Sequence, residues 1–135
     1  MRYEKSCGAI IYRTIDDIVE YLLLRSARES RFWGFAKGHM EEGETEEETC
    51  LREVWEETGI KIKIEEGFRV SDRYITPDNI DKEVILFLGD ANGQSVSIQE
   101  EEIMDYRWCS YDDALELLTF EGSREKLKEA NDFIA

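Results

Sequence analysis

One proline and one histidine are all that this 135-residue chain carries of each, and it has only three cysteines. Cys7, Cys50 and Cys109 are odd in number, far apart and without C-x-x-C spacing. That excludes a disulfide framework as an expectation, and with His39 as the lone imidazole it argues against a structural zinc site. Isolated thiols of this kind read as core packing in a reducing compartment, so the expected location is cytoplasmic. No apolar run approaches the length of a membrane span, and the opening Met1-Arg2-Tyr3-Glu4-Lys5 leads into none. No signal peptide, anchor or membrane partner is therefore expected. Positive charge is also scarce: 17 Lys and Arg stand against 32 Asp and Glu, for a net −15. Without a basic stripe or tail the chain does not read as a binder of nucleic-acid duplexes. A polyanionic substrate would need bound cations to enter such a field.

What is present fits one folded domain, 1–135, with 41% hydrophobic and 11% aromatic residues and no repeat or low-complexity linker. The runs 7–12 and 18–24 predict strands joined by a polar turn at Asp16-Asp17. A short aromatic segment at 32–35 leads to a Gly- and Glu-rich loop at 37–44. Residues 45–58 predict a helix, with Thr45 and Glu48 as a capping box and Gly59 closing its end. Strands are expected near 60–70, 82–89 and 104–109, and helices at 111–118 and 122–133. This order predicts an α/β fold, a mixed sheet with helices on both sides.

The stretch from Phe32 to Ile60 is crowded with glutamate and free of aspartate. At about 100° per residue, Cys50, Leu51, Val54, Trp55 and Thr58 fall on one side of the predicted helix. Arg52, Glu53, Glu56 and Glu57 fall on the other, spaced so that the three carboxylates converge. A solvated face is the ordinary use of such a stripe. Like charges at this spacing repel, however, and hard carboxylate oxygens suit Mg²⁺ or Mn²⁺. Gly38 and Gly43 free the preceding loop to approach a ligand.

Gly38, five residues, Glu44, seven residues, then Arg52-Glu53-Val54-Trp55-Glu56-Glu57-Thr58-Gly59-Ile60 resembles the Nudix box throughout 38–60. The resemblance implies the Nudix fold, a mixed β-sheet sandwiched between α-helices. It also implies cation-dependent hydrolysis of a nucleoside diphosphate linked to another moiety. Carried over by position, Glu53, Glu56 and Glu57 would be ligands of Mg²⁺ or Mn²⁺. Gly38, Glu44, Arg52 and Gly59 would hold the loop and helix in register.

Outside the box, "FWGFAKGH", "EEGFRVSDRY", "DKEVILFL" and "MDYRWCSYDDALELLTF" resemble asymmetrically cleaving diadenosine tetraphosphate hydrolases of the animal and archaeal type. Ala36 stands where that group usually has proline, which would loosen the loop. The resemblance implies a small-molecule nucleotide substrate, diadenosine tetraphosphate cleaved to ATP and AMP. Tyr74 would meet a base or a phosphate and Lys82 phosphate oxygens, with Arg31 or Lys37 balancing charge on the leaving group. His39 is either a phosphate contact or an exposed loop residue. Phe120 is either a stacking face for adenine or a core residue. Glu102, competing with Glu100 and Glu101, is either a further carboxylate near the cations or part of a solvated charge run. Glu53, Glu57 and Glu102 are then the candidate catalytic carboxylates, one of them a base toward water. Trp33 and Trp108 read as packing. Another Nudix substrate stays open, whether a nucleoside triphosphate, a nucleotide sugar or an RNA 5′ end, as does a module that senses nucleotide without cleaving it.

Overall fold

Asp16 and Asp17 both have positive φ (51° and 65°), the turn geometry that matches the twist of a two-residue hairpin. They join β1 (Arg2–Ile15) to β2 (Ile18–Ser26), with Ile15 opposite Ile18 and Ile11 opposite Leu22. The computed structural model describes residues 1–135. β3 (Trp33–Gly34) and β4 (Ala36–His39) follow, then α1 (Glu46–Thr58), β5 (Lys63–Ile75), β6 (Ile80–Asp90), β7 (Ile103–Cys109), α2 (Tyr111–Leu117) and α3 (Glu121–Ile134).

β1 lies parallel to β6 and antiparallel to its other neighbours, so the sheet is mixed, in the order β3-β2-β1-β6-β5. Strict alternation divides the apolar residues between its two faces. Cys7, Ala9 and Ile11 of β1, with Ile85 and Phe87 of β6, pack against Cys50 and Val54 of α1. Ile10, Leu23, Leu86 and Leu88 point the other way, toward Ala114 and Leu118 and toward Leu127 and Ala130 of α3. Helices thus cover both faces, as expected.

The strands are longer than their apolar runs, because polar ends continue the ladders: β1 pairs with β6 from Arg2 to Tyr12. The loop expected at 37–44 begins as strand. Ala36 pairs with Ala9 inside β4, so the segment that alanine was expected to loosen is held by a ladder.

Candidate active site

The sheet forks along β1. Ser6 to Ala9 pair with β4, Ile11 to Ile15 pair with β2, and β2 pairs in turn with β7 from Tyr21 onward and with β3 at Leu24 and Arg25. Near this fork β4, α1 and the segment before β7 meet. The Ser97 N–H donates to the Thr58 carbonyl at 2.8 Å, and the Gln99 N–H to the Glu57 carbonyl at 3.1 Å.

α1 is closed at both ends. The Thr45 hydroxyl accepts from the Glu48 N–H, the Glu48 carboxylate accepts from the Thr45 N–H, and Gly59 ends the helix at φ 72°. Before it, the Glu44 carboxylate gathers four donors. Arg52 Nε and Nη2 reach it at 2.7 and 3.0 Å, the Thr49 hydroxyl at 2.8 Å and the Glu41 N–H at 2.9 Å. The Arg52 guanidinium above all, then that N–H, hold the Glu44 carboxyl down at about 2. Arg52 also reaches Glu53 at 2.8 Å, Glu56 at 3.3 Å and the His39 carbonyl at 3.0 Å. One guanidinium thus ties loop, strand and helix together.

The helix does not divide as its periodicity predicts. Leu51 and Trp55 face solvent, Trp55 at 54% exposure, whereas Glu57 is buried at 7%. α1 rests on β1 and β4 rather than on a full sheet face, which turns Thr49, Cys50, Val54, Glu57 and Thr58 inward. The three carboxylates also do not meet at one point. No three acidic or imidazole groups stand ready to hold an ion, and Arg52 occupies the space between Glu53 and Glu56.

Glu57 is the exception to the rule that buried polar atoms are paired: its Oε2 has no hydrogen-bond partner. Burial first, then the neighbouring Glu53 carboxylate, raise its pKa well above the carboxylate range. Glu102 adds to the rise and Lys37 opposes it. Gly38 makes room beside it, since a Cβ there would overlap the Glu53 carboxylate. A buried, unpaired carboxylate oxygen next to a second carboxylate fits a divalent cation, which would relieve both its desolvation and the repulsion. Of the three competing glutamates before β7, Glu102 is the partly buried one and Glu100 and Glu101 are exposed.

Register places the expected substrate residues on one face, opposite α1. Lys82 lies across from Tyr74 and Glu4, His39 across from Ser6, and Lys37 across from Gly8, all with the parity of Val84 and Leu86. The His39 imidazole points outward, 3.9 Å from Glu4. Lys37 is exposed on this face. Crowding by protein atoms and then Lys82 lower its pKa, while Glu57 raises it. Tyr74 is half-exposed, its phenol raised by burial and then by Asp72.

Phe120 is not in the core. It is half-exposed, edge-on to Phe32 with centroids 4.8 Å apart, at the start of α3. That start rests on β5, where Asp72 lies against Gly122. Trp33 packs inside, and Trp108 lies under the Arg13 guanidinium at 4.3 Å. Sequence reasoning missed Phe32 and also Arg28, which donates to Glu102 at 2.9 Å. Phe32 had a signal in its place before Trp33, but Arg28 had none, because its partner is distant in sequence. A cavity of about 530 Å³ lies elsewhere, lined by Arg13, Asp90, Gln94, Tyr106 and Trp108. It contains none of the expected residues and no unpaired buried group.

The chain resembles known proteins over nearly its whole length. It is 35% identical over 140 residues to the rat bis(5′-nucleosyl)-tetraphosphatase [asymmetrical], covering 96% of this chain and 95% of the relative. A crystal structure of a C. elegans Ap4A hydrolase binary complex superposes with a TM-score of 0.90 at 27% identity, covering 97% of both chains. The NUDIX domain of Shewanella oneidensis NrtR, complexed with ADP ribose, shares the fold at 18% identity and a TM-score of 0.83. It covers 100% of this chain and 90% of that one. The NUDIX domain model matches residues 2–130, a span that holds the forked sheet, the Gly38–Glu53 contact and the Arg52 clamp, and the chain belongs to the NUDIX family.

Proposed function

We propose that this chain hydrolyses a dinucleoside polyphosphate, diadenosine tetraphosphate foremost, to ATP and AMP in the presence of Mg²⁺ or Mn²⁺. The observation that carries this reading is Glu57, buried beside Glu53 with one oxygen unpaired. The name of the rat relative and the match to the C. elegans hydrolase support the substrate. The free, buried Cys7, Cys50 and Cys109 support a cytoplasmic setting.

Glu53 and Glu57 would hold the cation, with Glu56 turning from Arg52 and Glu102 from Arg28 to complete its shell; when bound it screens phosphate charge and makes water more acidic. One of Glu53, Glu57 and Glu102 would accept the proton of a water attacking phosphorus. Lys82 and Lys37 meet phosphate oxygens on the opposite face, and the chain needs such local cations because its overall field repels the substrate. Tyr74 and Phe120 offer faces for a base, and His39 a donor at the rim. Glu44 and Arg52 do no chemistry and keep loop and helix in register.

A nucleotide panel with Mg²⁺ in H₂¹⁸O, with every product resolved, tests this. Diadenosine tetraphosphate should yield ATP and AMP in equal amounts, with ¹⁸O in one product only. Two ADP, or faster turnover of a nucleoside triphosphate, a nucleotide sugar or a capped RNA 5′ end, would reassign the substrate. Binding without turnover would make the chain a nucleotide sensor.

A further inference from the structure

Arg25 near the end of β2, and Arg28 and Arg31 in the loop to β3, make an unusual density of cations in a chain of net charge −15. Arg25 donates from β2 to the Ser30 carbonyl and Arg31 pairs with Glu29 at 3.0 Å, so both are engaged by the loop itself. Arg28 reaches out instead, its Nη2 2.9 Å from Glu102 Oε1. Its backbone is fixed by Ser26, whose Oγ accepts from the Arg28 and Glu29 N–H groups.

Glu102 does not need Arg28 to stay in place. Its carbonyl accepts from the Ala27 N–H at 2.9 Å, and its own N–H donates to the Gln99 carbonyl at 3.0 Å. Arg28 therefore governs where the carboxylate points and which cation it serves, not where residue 102 sits. Both partners are open to solvent, with 79% of the Arg28 and 42% of the Glu102 side chain exposed. An ion pair of that kind is weak and quickly exchanged. The Glu102 segment is tied to α1, since Gln99, which accepts from the Glu102 N–H, itself donates to the Glu57 carbonyl at 3.1 Å, and the field of Glu102 reaches the Glu57 carboxylate.

We propose that Arg28 is an exchangeable counter-ion of Glu102. It competes with a divalent cation for that carboxylate and, once displaced, turns to the phosphate oxygens of the incoming substrate. Arg28 is thus a positioning residue whose single charge serves two partners in succession. The proposal rests on Glu102 being a cation ligand.

Mn²⁺ binding to the full chain, followed by electron paramagnetic resonance without substrate, reads the first half directly. Arg28→Gln should bind Mn²⁺ about two- to fivefold more tightly, the range expected for losing an exposed pair. The same substitution in a Glu102→Gln background should change nothing, because the carboxylate it competes for is gone. An Arg28→Gln affinity equal to or weaker than wild type overturns the exchange. If Glu102→Gln alone leaves Mn²⁺ binding as it was, Glu102 is no ligand and the exchange falls with it. The second half is read in KM for diadenosine tetraphosphate at saturating Mn²⁺. Arg28→Gln should raise KM several-fold with kcat held, although its metal affinity is higher. An unchanged or lower KM would show that the displaced guanidinium does not serve the phosphates.

Discussion

Glu56 and Glu57 are adjacent in the chain and opposite in environment: one is exposed beside Arg52, the other buried with an oxygen unpaired. Removing their charges should therefore separate activity from stability. Glu57→Gln should cut kcat on the order of 10²–10³-fold, the scale of a lost catalytic group, while raising Tm in chelator because an uncompensated buried carboxylate disappears. Glu56→Gln should lower activity with Tm nearly constant, since exposed substitutions are close to neutral. A Glu57→Gln protein with full turnover would remove Glu57 from the machinery. Gly38→Ala should act through Glu53, whose carboxylate fills the space of the missing side chain. Activity should fall steeply with secondary structure intact by circular dichroism. The glutamates were legible in the sequence because their spacing is local and their motif is dense. Their burial was not, since 3.6-residue periodicity cannot tell which side of a helix meets a forked sheet.

α1 is tied down at its start by charge rather than by apolar packing alone. The Glu46 carboxylate receives both Arg69 Nε and Nη2 at 2.8 Å from β5, and Lys5 of β1 joins it. Arg69 chiefly, with help from Lys5 and against burial, lowers the Glu46 carboxyl from 4.5 to about 2. A depressed carboxyl stabilises the fold fully above its unfolded value, and that contribution is lost as pH falls from 4.5 toward 2. Glu46→Gln should thus lower Tm at pH 7 and leave it almost unchanged near pH 2; equal losses at both would point to packing instead. Arg52→Lys should lose the two-pronged grip on Glu44 and the His39 carbonyl together, because an ammonium cannot span them. Expected is a fall in kcat larger than any fall in stability, measured by turnover and thermal melting on the same preparation. The elements themselves were largely readable, as the capping box at Thr45 and the turn at Asp16-Asp17 show. β4 was hidden because Lys37-Gly38-His39 carries no apolar alternation, and only its register against β1 makes it a strand.

Across the whole molecule, 32 acidic residues oppose the approach of an anionic substrate, so affinity must come from a few local cations. Adding Mg²⁺ should raise Tm by several degrees, since a ligand of the folded state alone stabilises it, and chelator should abolish activity. Lys82→Ala should raise KM about tenfold with a smaller change in kcat, the scale of one charge-assisted hydrogen bond. Tyr74→Ala should weaken the dinucleotide by roughly 1–3 kcal/mol, and Tyr74→Phe should keep most of that affinity if the ring stacks on a base. Unchanged KM in both alanine variants would empty that face of substrate. The pairing of β1 with β6 carries a different consequence, for how the chain acquires its shape. The first strand finds its parallel partner only at Ile80–Asp90, with the hairpin, α1 and β5 made in between. Loop-closure entropy over that distance must be met before the sheet gains its centre, which makes this step slow relative to the local hairpin and helix. On a ribosome, β1 therefore waits with its β6 edge unpaired until Asp90 has emerged, and a chain arrested before β6 should remain open to protease while one released after it should not.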